Sequence, residues 1–208
     1  MSGERPATSL VMIDCDGTLF DSFEANRAFY DEVLRRMGHP PLDAEGRELA
    51  HHMATPLLLA HLFRGDPAGL EQATRIARAT DYAPYLELMT PVPRMVETLE
   101  WVHERHDTAM ATNRGASISR LLARFDLLHH FDLVVGIHDV ERPKPSPDML
   151  LHCLRHFGAP ASAAVYVGDA PGDREASRAA GVRFFSVGGR VPGDVDLPGF
   201  EDLVAALS

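Results

Sequence analysis

The hydrophobic positions divide the chain into two regions with different patterns. Four consecutive large apolar residues, Leu10 to Ile13, predict a strand that is covered on both faces. Between Ser22 and Thr90 the apolar residues recur at spacings of three and four, which is typical of helices. From Pro93 onward, helical and strand patterns alternate. The pattern therefore predicts an all-helical insertion placed directly after the first strand of an α/β protein.

The region after Pro93 repeats a helix followed by a strand, which implies a parallel sheet with helices on both faces and right-handed crossovers. Its predicted strands, with the first strand of the chain, are Leu10–Ile13, Thr108–Thr112, Leu133–Val135, Ala164–Val167 and Phe184–Val187. Its predicted helices are Met95–Val102, Ile118–Phe125, Met149–Phe157, Glu175–Ala180 and Phe200–Leu207. The insertion has helical patterns over Phe23–Met37, Leu42–Leu49, Leu57–Phe63 and Leu70–Met89. The stretch Gly188–Gly199 is rich in Gly, Pro and Asp and is predicted to be a loop without a catalytic role.

Composition and charge limit the possible partners. The chain has 208 residues, of which 45% are hydrophobic, and this suits one domain with an insertion or two modest domains. Its formal charge of −10 argues against a nucleic acid or an anionic membrane surface as the main partner. We find no apolar run long enough for a signal peptide or a membrane span, so we expect a cytoplasmic protein. The oligomeric state is not predicted.

Two carboxylates follow the first predicted strand. Asp14 and Asp16 are separated by one residue, and Gly17 comes next, where the backbone can turn tightly or approach a ligand. Open α/β sheets bind their ligands at the carboxyl ends of the strands. A polar turn that leaves a strand would have the same residues, since Asp and Gly dominate turns. These residues alone do not decide between a turn and a ligand site.

Polar residues also stand at or after the ends of three further predicted strands. They are Thr112 with Asn113, Lys144, and Gly168-Asp169 with Asp173. Each has a local explanation, because Thr-Asn suits a turn, Asp173 can cap a helix and a lysine is usually solvated. Their convergence on one edge of the sheet favours a functional site.

Lys144 is the only lysine in the chain, and all the others among its 20 lysine and arginine residues are arginines. An ammonium is a compact point charge, whereas a guanidinium is a planar fork. Lys144 also lies in Arg142-Pro143-Lys144-Pro145-Ser146-Pro147-Asp148, where the prolines restrict the loop. The sequence thus predicts a positioned positive charge.

Taken together, Leu10 to Ser22 with the Asp14/Asp16 pair, Thr112, Lys144 in Lys-Pro-Ser-Pro-Asp, and Gly168-Asp169 with Asp173 resemble the four motifs of the haloacid dehalogenase superfamily of phosphatases. The layout is similar to its phosphoglycolate-phosphatase-like branch. The resemblance implies a Rossmann-like α/β core of residues 1–21 and 91–208, with a helical cap domain of residues 22–90 inserted after the first strand.

The same resemblance implies roles for the candidate residues. Asp14 is the expected nucleophile and Asp16 the expected general acid and base. Mg²⁺ is the expected cofactor, because it prefers hard oxygen ligands; its expected ligands are the carboxylates of Asp14, Asp169 and Asp173 and the backbone carbonyl of Asp16. Lys144 and Thr112, with backbone N–H groups around Gly17, Thr18 and Asn113, are expected to hold the phosphoryl oxygens of a small phosphorylated substrate.

Other members of the superfamily offer alternatives. Asp16 argues against dehalogenase chemistry, because the dehalogenases lack the second acid. The insertion contains no lysine, which argues against the Schiff base of phosphonoacetaldehyde hydrolases. A sugar-phosphate mutase and a phosphate-binding regulatory module without turnover remain as alternatives. The candidates for reading the leaving group are Arg114 and, in the insertion, Arg47, His51, His52, His61 and Arg64.

Overall fold

The computed structural model describes residues 8–208, apart from the side chains of His51 and His52. The chain forms two compact units, one of residues 8–20 with Pro91–Ser208 and one of Asp21–Thr90. The amino-terminal residues 1–7, which the sequence assigned to the α/β domain, lie outside the described residues.

The first unit is built on a parallel sheet of six strands. Its strands are β1 (Leu10–Ile13), β4 (Asp107–Ala111), β5 (Leu133–Val135), β6 (Ala164–Gly168), β7 (Arg183–Val187) and β8 (Val195–Leu197). Their order across the sheet is β5-β4-β1-β6-β7-β8. Met12 of β1 is paired with Ala109 on one side and with Tyr166 on the other, so β1 lies in the interior of the sheet. The predicted α/β class with a parallel sheet is confirmed.

The strand β1 is fully buried, as its four apolar residues predict. One large core cluster contains Leu10, Met12, Tyr166 and Phe184 from the sheet together with apolar residues of the helix that starts at Asp148. The helices of this unit are α5 (Met95–His103), α6 (Ile118–Arg124), α7 (Asp148–Phe157), α8 (Pro171–Ala180) and α9 (Leu203–Leu207). Among the described residues, no helix is both long enough and apolar enough to cross a membrane.

The prediction that Gly188–Gly199 is a loop was wrong in part, because β8 lies within this stretch. Val195–Leu197 pairs in parallel with β7 at the edge of the sheet. The strand has only three residues, and the Pro and Gly around it predict turns. Its extended form depends on hydrogen bonds to β7, which no local pattern reports.

The second unit is helical apart from its terminal residues. Its helices are α1 (Phe23–Arg36), α2 (Ala44–His52), α3 (Thr55–Leu62) and α4 (Pro67–Ala79), followed by the 3₁₀ helix Ala83–Leu88. Phe29, Tyr30, Leu58 and Leu59 contribute to a core cluster formed within this unit. At the two chain crossings between the units, β2 (Phe20–Asp21) and β3 (Thr90–Pro91) form a separate two-stranded sheet.

The helical pattern predicted over Leu70–Met89 is divided in the structure between α4 and the 3₁₀ helix Ala83–Leu88. Helix α4 ends at Ala79, where Thr80 leaves the helical conformation and its hydroxyl donates to the Ile76 carbonyl. Pro84 follows at the start of the 3₁₀ helix. A proline is tolerated in the first turn of a helix but not in its interior, so the chain starts a new turn there.

Candidate active site

The carboxyl ends of three adjacent strands carry the polar residues that the sequence singled out. Asp14 follows β1, Thr112 follows β4, and Asp169 follows β6. Their exposed fractions are only 5%, 1% and 2%. Backbone hydrogen bonds continue past the strand ends, since the Asp14 N–H donates to the Val167 carbonyl and the Thr112 N–H to the Val135 carbonyl. The sheet therefore fixes the positions of these residues.

The ammonium group of Lys144 contacts side chains from the end of β1, from β6 and from α8. Its Nζ lies 2.7 Å from Oδ1 of Asp14 and 2.7 Å from Oδ1 of Asp173. It also donates to the hydroxyl of Tyr166 at 2.7 Å. The side chain is 3% exposed, so a strong desolvation cost is offset by two carboxylates and a third acceptor. The lone lysine of the chain is a buried, fully engaged cation.

Tyr166 is a site residue that the sequence interpretation missed. It lies on β6, is fully buried, and its hydroxyl lies 2.8 Å from the Ala111 carbonyl and 3.1 Å from Oδ1 of Asp173. The signal was present in the sequence, because a tyrosine within a fully buried strand needs a hydrogen-bond partner for its hydroxyl. Tyr166 connects Lys144 to the backbone of β4.

Asn113 holds the loop that carries Lys144. Its Oδ1 accepts from the Lys144 N–H at 2.9 Å, and its Nδ2 donates to the Lys144 carbonyl at 3.1 Å. The sequence predicted a role for Asn113 in substrate binding through its backbone. The observed side chain fastens both backbone groups of Lys144, so the cation is fixed at its main chain as well as at its ammonium.

Asp173 is both a helix cap and a site residue, the two roles that the sequence left open for it. It lies in the first turn of α8, and its Oδ2 accepts from the N–H groups of Asp169 and Ala170, which satisfies donors at the start of the helix. Its Oδ1 accepts from Nζ of Lys144 and lies within hydrogen-bond distance of the Tyr166 hydroxyl. A Cβ at Gly168 would overlap the Asp173 carboxylate. Asp173 is therefore both a helix cap and a member of the polar cluster.

Gly17 is required by the position of Asp169. Its φ of 77° lies in the left-handed region that favours glycine. A Cβ added there would overlap the carboxylate of Asp169. The Gly17 N–H donates to the Phe20 carbonyl, which closes the turn after Asp16. This turn brings the motif after β1 against the acid after β6.

Thr18 is fully buried, and its hydroxyl has no hydrogen-bond partner among residues 8–208. A buried hydroxyl without a partner has a cost in free energy. Its position in the loop after β1 is compatible with the predicted role of this loop in binding an anion.

Burial and crowding raise the pKa values of two acids in the cluster. Burial raises the pKa of Asp14 to about 7, with a contribution from Asp173, although Lys144 opposes the rise. Burial and then the charges of Asp173 and Asp14 raise the pKa of Asp169 to about 8, opposed by Arg190 and Lys144. Burial acts to lower the pKa of Lys144, but the attraction of Asp14 and Asp173 outweighs it and holds the pKa above its usual value.

A divalent cation fits this cluster. Carboxylate oxygens of Asp14, Asp169 and Asp173 lie within 4.8 Å of one another, all from buried residues. Hard carboxylate ligands suit Mg²⁺. Burial, and after it the repulsion from neighbouring carboxylates, raises the pKa values of Asp14 and Asp169, and a bound cation would favour the charged form of both. The side chain of Asp16 is not part of this group.

Asp16 is paired with Arg114. Nε of Arg114 donates to Oδ2 of Asp16 and Nη2 donates to Oδ1, both at 2.7 Å. The side chain of Arg114 is 5% exposed and that of Asp16 is 17% exposed. The sequence predicted Arg114 as a contact for a second anionic group of the substrate. In the structure its guanidinium holds the second acid of the motif.

The candidates in the helical unit make local contacts. Arg47 lies on α2, where its Nε donates to the Leu42 carbonyl at 3.0 Å. Nη2 of Arg64 lies 3.4 Å from Nδ1 of His61. The side chains of His51 and His52 lie outside the described part of the chain. Substrate contacts by these residues stay predictions.

Comparisons with known proteins agree with this arrangement. The family profile named haloacid dehalogenase-like hydrolase matches residues 11–187. A phosphoglycolate phosphatase of Pseudomonas fluorescens is 31% identical over 183 residues, which cover 84% of this chain and 67% of that protein.

Solved structures have the same fold. A HAD-superfamily hydrolase of subfamily IA, variant 1, from Geobacter sulfurreducens is 35% identical, with 100% of each chain covered and a TM-score of 0.78. CbbY from Rhodobacter sphaeroides, solved in complex with phosphate, has a TM-score of 0.79 over 94% of this chain and 96% of that chain, and at 22% identity it shows the fold alone. Because the family profile spans most of the sequence and both units of the fold, the chain belongs to the haloacid dehalogenase-like hydrolases.

Proposed function

We propose that the protein is a Mg²⁺-dependent phosphomonoester hydrolase that acts on a small phosphorylated metabolite through an aspartyl-phosphate on Asp14. The observation that carries the proposal is the buried cluster of Asp14, Asp169 and Asp173 around the single lysine of the chain. The similarity to a phosphoglycolate phosphatase supports a phosphoryl group as the part of the substrate that this cluster meets.

Asp14 and Asp169 are the carboxylates we assign to the metal, together with the backbone carbonyl of Asp16. Bound there, Mg²⁺ would supply charge that reduces the repulsion between an anionic nucleophile and a phosphoryl group. Asp173 is a weaker candidate for direct ligation, because its two oxygens already accept from Lys144 and from two backbone N–H groups. We assign Asp173 mainly to positioning Lys144.

In the proposed reaction Asp14 attacks the phosphorus atom and the alcohol leaves. Lys144 contacts Asp14 through Oδ1, and its three N–H donors are used by Asp14, Asp173 and Tyr166. We assign its ammonium to a phosphoryl oxygen in exchange for one of these acceptors when the substrate binds. Thr112, the Thr18 N–H and the Asn113 N–H are assigned to the other phosphoryl oxygens. The Gly17 N–H, which the sequence also proposed, already donates to the Phe20 carbonyl. Water then hydrolyses the aspartyl-phosphate and restores Asp14.

Asp16 is assigned to both proton transfers. It would give a proton to the leaving alcohol in the first step and take one from water in the second. Its carboxylate is held by Arg114 in the structure, which fixes its position after β1.

The helical unit is proposed to act as a lid whose loops read the leaving group. The proposal follows from the family and from the position of this unit in the sequence, directly after the first motif. Arg47, His61 and Arg64 are its candidate contacts.

The test is phosphate release from a panel containing p-nitrophenyl phosphate, phosphoglycolate and hexose phosphates, with Mg²⁺ or with a chelator. We expect release that depends on Mg²⁺, and a fall of about 10³-fold or more in kcat for Asp14→Asn. Mass spectrometry of the wild-type enzyme during turnover is expected to find one phosphoryl group on the peptide that contains Asp14.

The matched control is Asp107→Asn, an exposed acid at the opposite end of the sheet, at the start of β4. It is expected to leave turnover unchanged. Normal turnover by Asp14→Asn would contradict the mechanism, absence of release from every phosphomonoester would favour the regulatory module, and a hexose bisphosphate intermediate would favour the mutase.

A further inference from the structure

The two acids of the motif after β1 are held by different cations in different geometries. Lys144 contacts Asp14 through one oxygen, Oδ1. Arg114 contacts Asp16 through both oxygens, in a fork with two bonds of 2.7 Å. A bidentate guanidinium fixes the plane of a carboxylate as well as its distance, whereas an ammonium acts as a point charge. The orientation of Asp16 is therefore determined by Arg114.

Arg114 is itself fixed by the end of the sheet. Its N–H donates to Oγ1 of Thr112 at 3.3 Å, and its carbonyl accepts from the Ile137 N–H at 3.1 Å. A Cβ at Gly136 would lie 2.7 Å from that carbonyl, so the chain after β5 packs closely against it. Because the backbone of Arg114 is fixed in this way, its side chain can fix the position of Asp16.

The guanidinium nitrogens already have protein partners. Nε and Nη2 donate to Asp16, and Nη1 donates to Oγ of Ser117 at 3.3 Å. A second anionic group of the substrate would have to compete with the partly buried carboxylate of Asp16 for this fork. Separating Asp16 from Arg114 would take a charge partner away from a buried guanidinium, which costs more than an exposed contact gains.

We infer that Arg114 is a positioning residue that acts on the reaction through Asp16 rather than by binding the substrate. This inference rests on the proposed function, because it requires Asp16 to take part in turnover. It differs from the sequence prediction for Arg114, which was contact with a second anionic group of the substrate.

The test compares Arg114→Lys and Arg114→Ala with the wild-type enzyme on two substrates, in the presence of Mg²⁺. Phosphoglycolate carries a second anionic group and p-nitrophenyl phosphate does not. If Arg114 positions Asp16, kcat falls on both substrates while KM changes little, because both reactions need Asp16 as the base in hydrolysis of the aspartyl-phosphate. The expected fall is about 100-fold for Arg114→Ala, the effect of a misplaced group, and a smaller fall for Arg114→Lys, which keeps the charge without the fork.

A double variant separates action through Asp16 from a general structural role. The p-nitrophenolate anion leaves without a proton, so Asp16→Asn is expected to keep a measurable residual rate on that substrate. Adding Arg114→Ala to Asp16→Asn is then expected to cause no further fall in kcat, because the two residues act as one unit. A further fall equal to that of Arg114→Ala alone would overturn the inference.

Arg105→Ala is the matched control, since it also removes an arginine with a carboxylate partner, but one that is exposed and paired with Glu104. Its kinetics are expected to equal those of the wild type. If wild type and Arg105→Ala turn over normally but Arg114→Lys raises only KM for phosphoglycolate, the inference is wrong and the proposed function stands. If the wild type itself releases no phosphate, the proposed function is wrong and the inference falls with it.

Discussion

Lys144 depends on more than its two carboxylates. The ammonium also donates to Tyr166, whose hydroxyl reaches the Ala111 carbonyl of β4, and Asn113 holds the Lys144 backbone. Each of these contacts removes a rotation or a displacement of the cation. At the scale of single residues, the site is thus a network in which Lys144 is fixed from three sides.

Removal of the Tyr166 hydroxyl tests this network. In Tyr166→Phe, Lys144 loses one acceptor and the Ala111 carbonyl loses its donor, so we expect a loss of about 1–3 kcal/mol in the free energy of unfolding. We also expect kcat for phosphate release to fall about tenfold, because Lys144 is less well fixed. Chemical denaturation and steady-state kinetics measure the two effects.

Tyr30→Phe is the control for the loss of a buried tyrosine hydroxyl. Its hydroxyl lies 2.8 Å from Oγ1 of Thr55 within the helical unit. This variant is expected to lose stability but to keep kcat. Equal kcat values for Tyr166→Phe and the wild type would remove Tyr166 from the site.

The elements deliver the acids because parallel strands end at one edge of a sheet. Strands β4, β1 and β6 are neighbours, so residues after each of them meet although they are far apart in the chain. The loop after β1 must then turn sharply in the space beside Asp169. Gly17 makes this possible through a positive φ and the absence of a Cβ.

Comparison of Gly17→Ala with Gly38→Ala separates the effect of the positive φ from the effect of an added Cβ beside Asp169. Gly38 has nearly the same φ, 76° against 77° for Gly17, but nothing lies within 4 Å of an added Cβ there. Gly38→Ala is expected to lose only the backbone cost of about 1–2 kcal/mol in the free energy of unfolding. Gly17→Ala must also displace the Asp169 carboxylate, so we expect it to lose Mg²⁺-dependent turnover as well.

Thermal unfolding and the dependence of the rate on Mg²⁺ concentration distinguish the two variants. A weaker response to Mg²⁺ in Gly17→Ala alone would support the assignment of Asp169 to the metal. Matching behaviour of both alanine variants would argue against a close approach of Gly17 to Asp169.

The stability of the whole molecule should depend on pH through a buried histidine of the α/β unit. His106 is 9% exposed, and its Nδ1 lies 3.0 Å from the Thr8 carbonyl. Burial lowers the pKa of His106 below its ordinary value of 6.5, although the hydrogen bond to Thr8 opposes the shift. The unfolded chain therefore binds more protons than the folded protein as the pH falls below about 6.5, and stability is lost in that range.

His106→Asn removes this titration and can keep the donor to the Thr8 carbonyl through its amide. We expect the free energy of unfolding to fall less steeply between neutral pH and mildly acidic pH than in the wild type. His156→Asn is the control, because His156 is an exposed residue of α7. Parallel stability curves for His106→Asn and the wild type would show that His106 is not the titrating group.

The parallel sheet was predictable because its central strand is apolar throughout and because helix and strand patterns alternate after Pro93. The edge strand β8 was not, since three residues among Pro and Gly have no local preference for a strand. The break after α4 was marked by Pro84, but the helical spacing continued on both sides of it. Patterns that repeat over many residues were thus better guides than single short segments.

At the site, the sequence by itself determined which residue types follow each strand and that a single lysine accompanies four acids. These facts are local, because the spacing of Asp14 and Asp16 or the prolines around Lys144 can be read without knowing any distance. The tertiary structure decided which partner each charge takes. Lys144 joins Asp14 to Asp173, and Arg114 holds Asp16.

Asp16 and Arg114 are 98 positions apart in the chain. Only the pairing of β1 with β4 brings them within hydrogen-bond distance, and a sequence pattern contains no information about such a distance. The contacts of Tyr166 also depend on the tertiary structure, because its hydroxyl bonds to Lys144 and to the Ala111 carbonyl, which lie on two other segments of the chain. The sequence determined the chemical groups of the site, and the register of the sheet determined how they are paired.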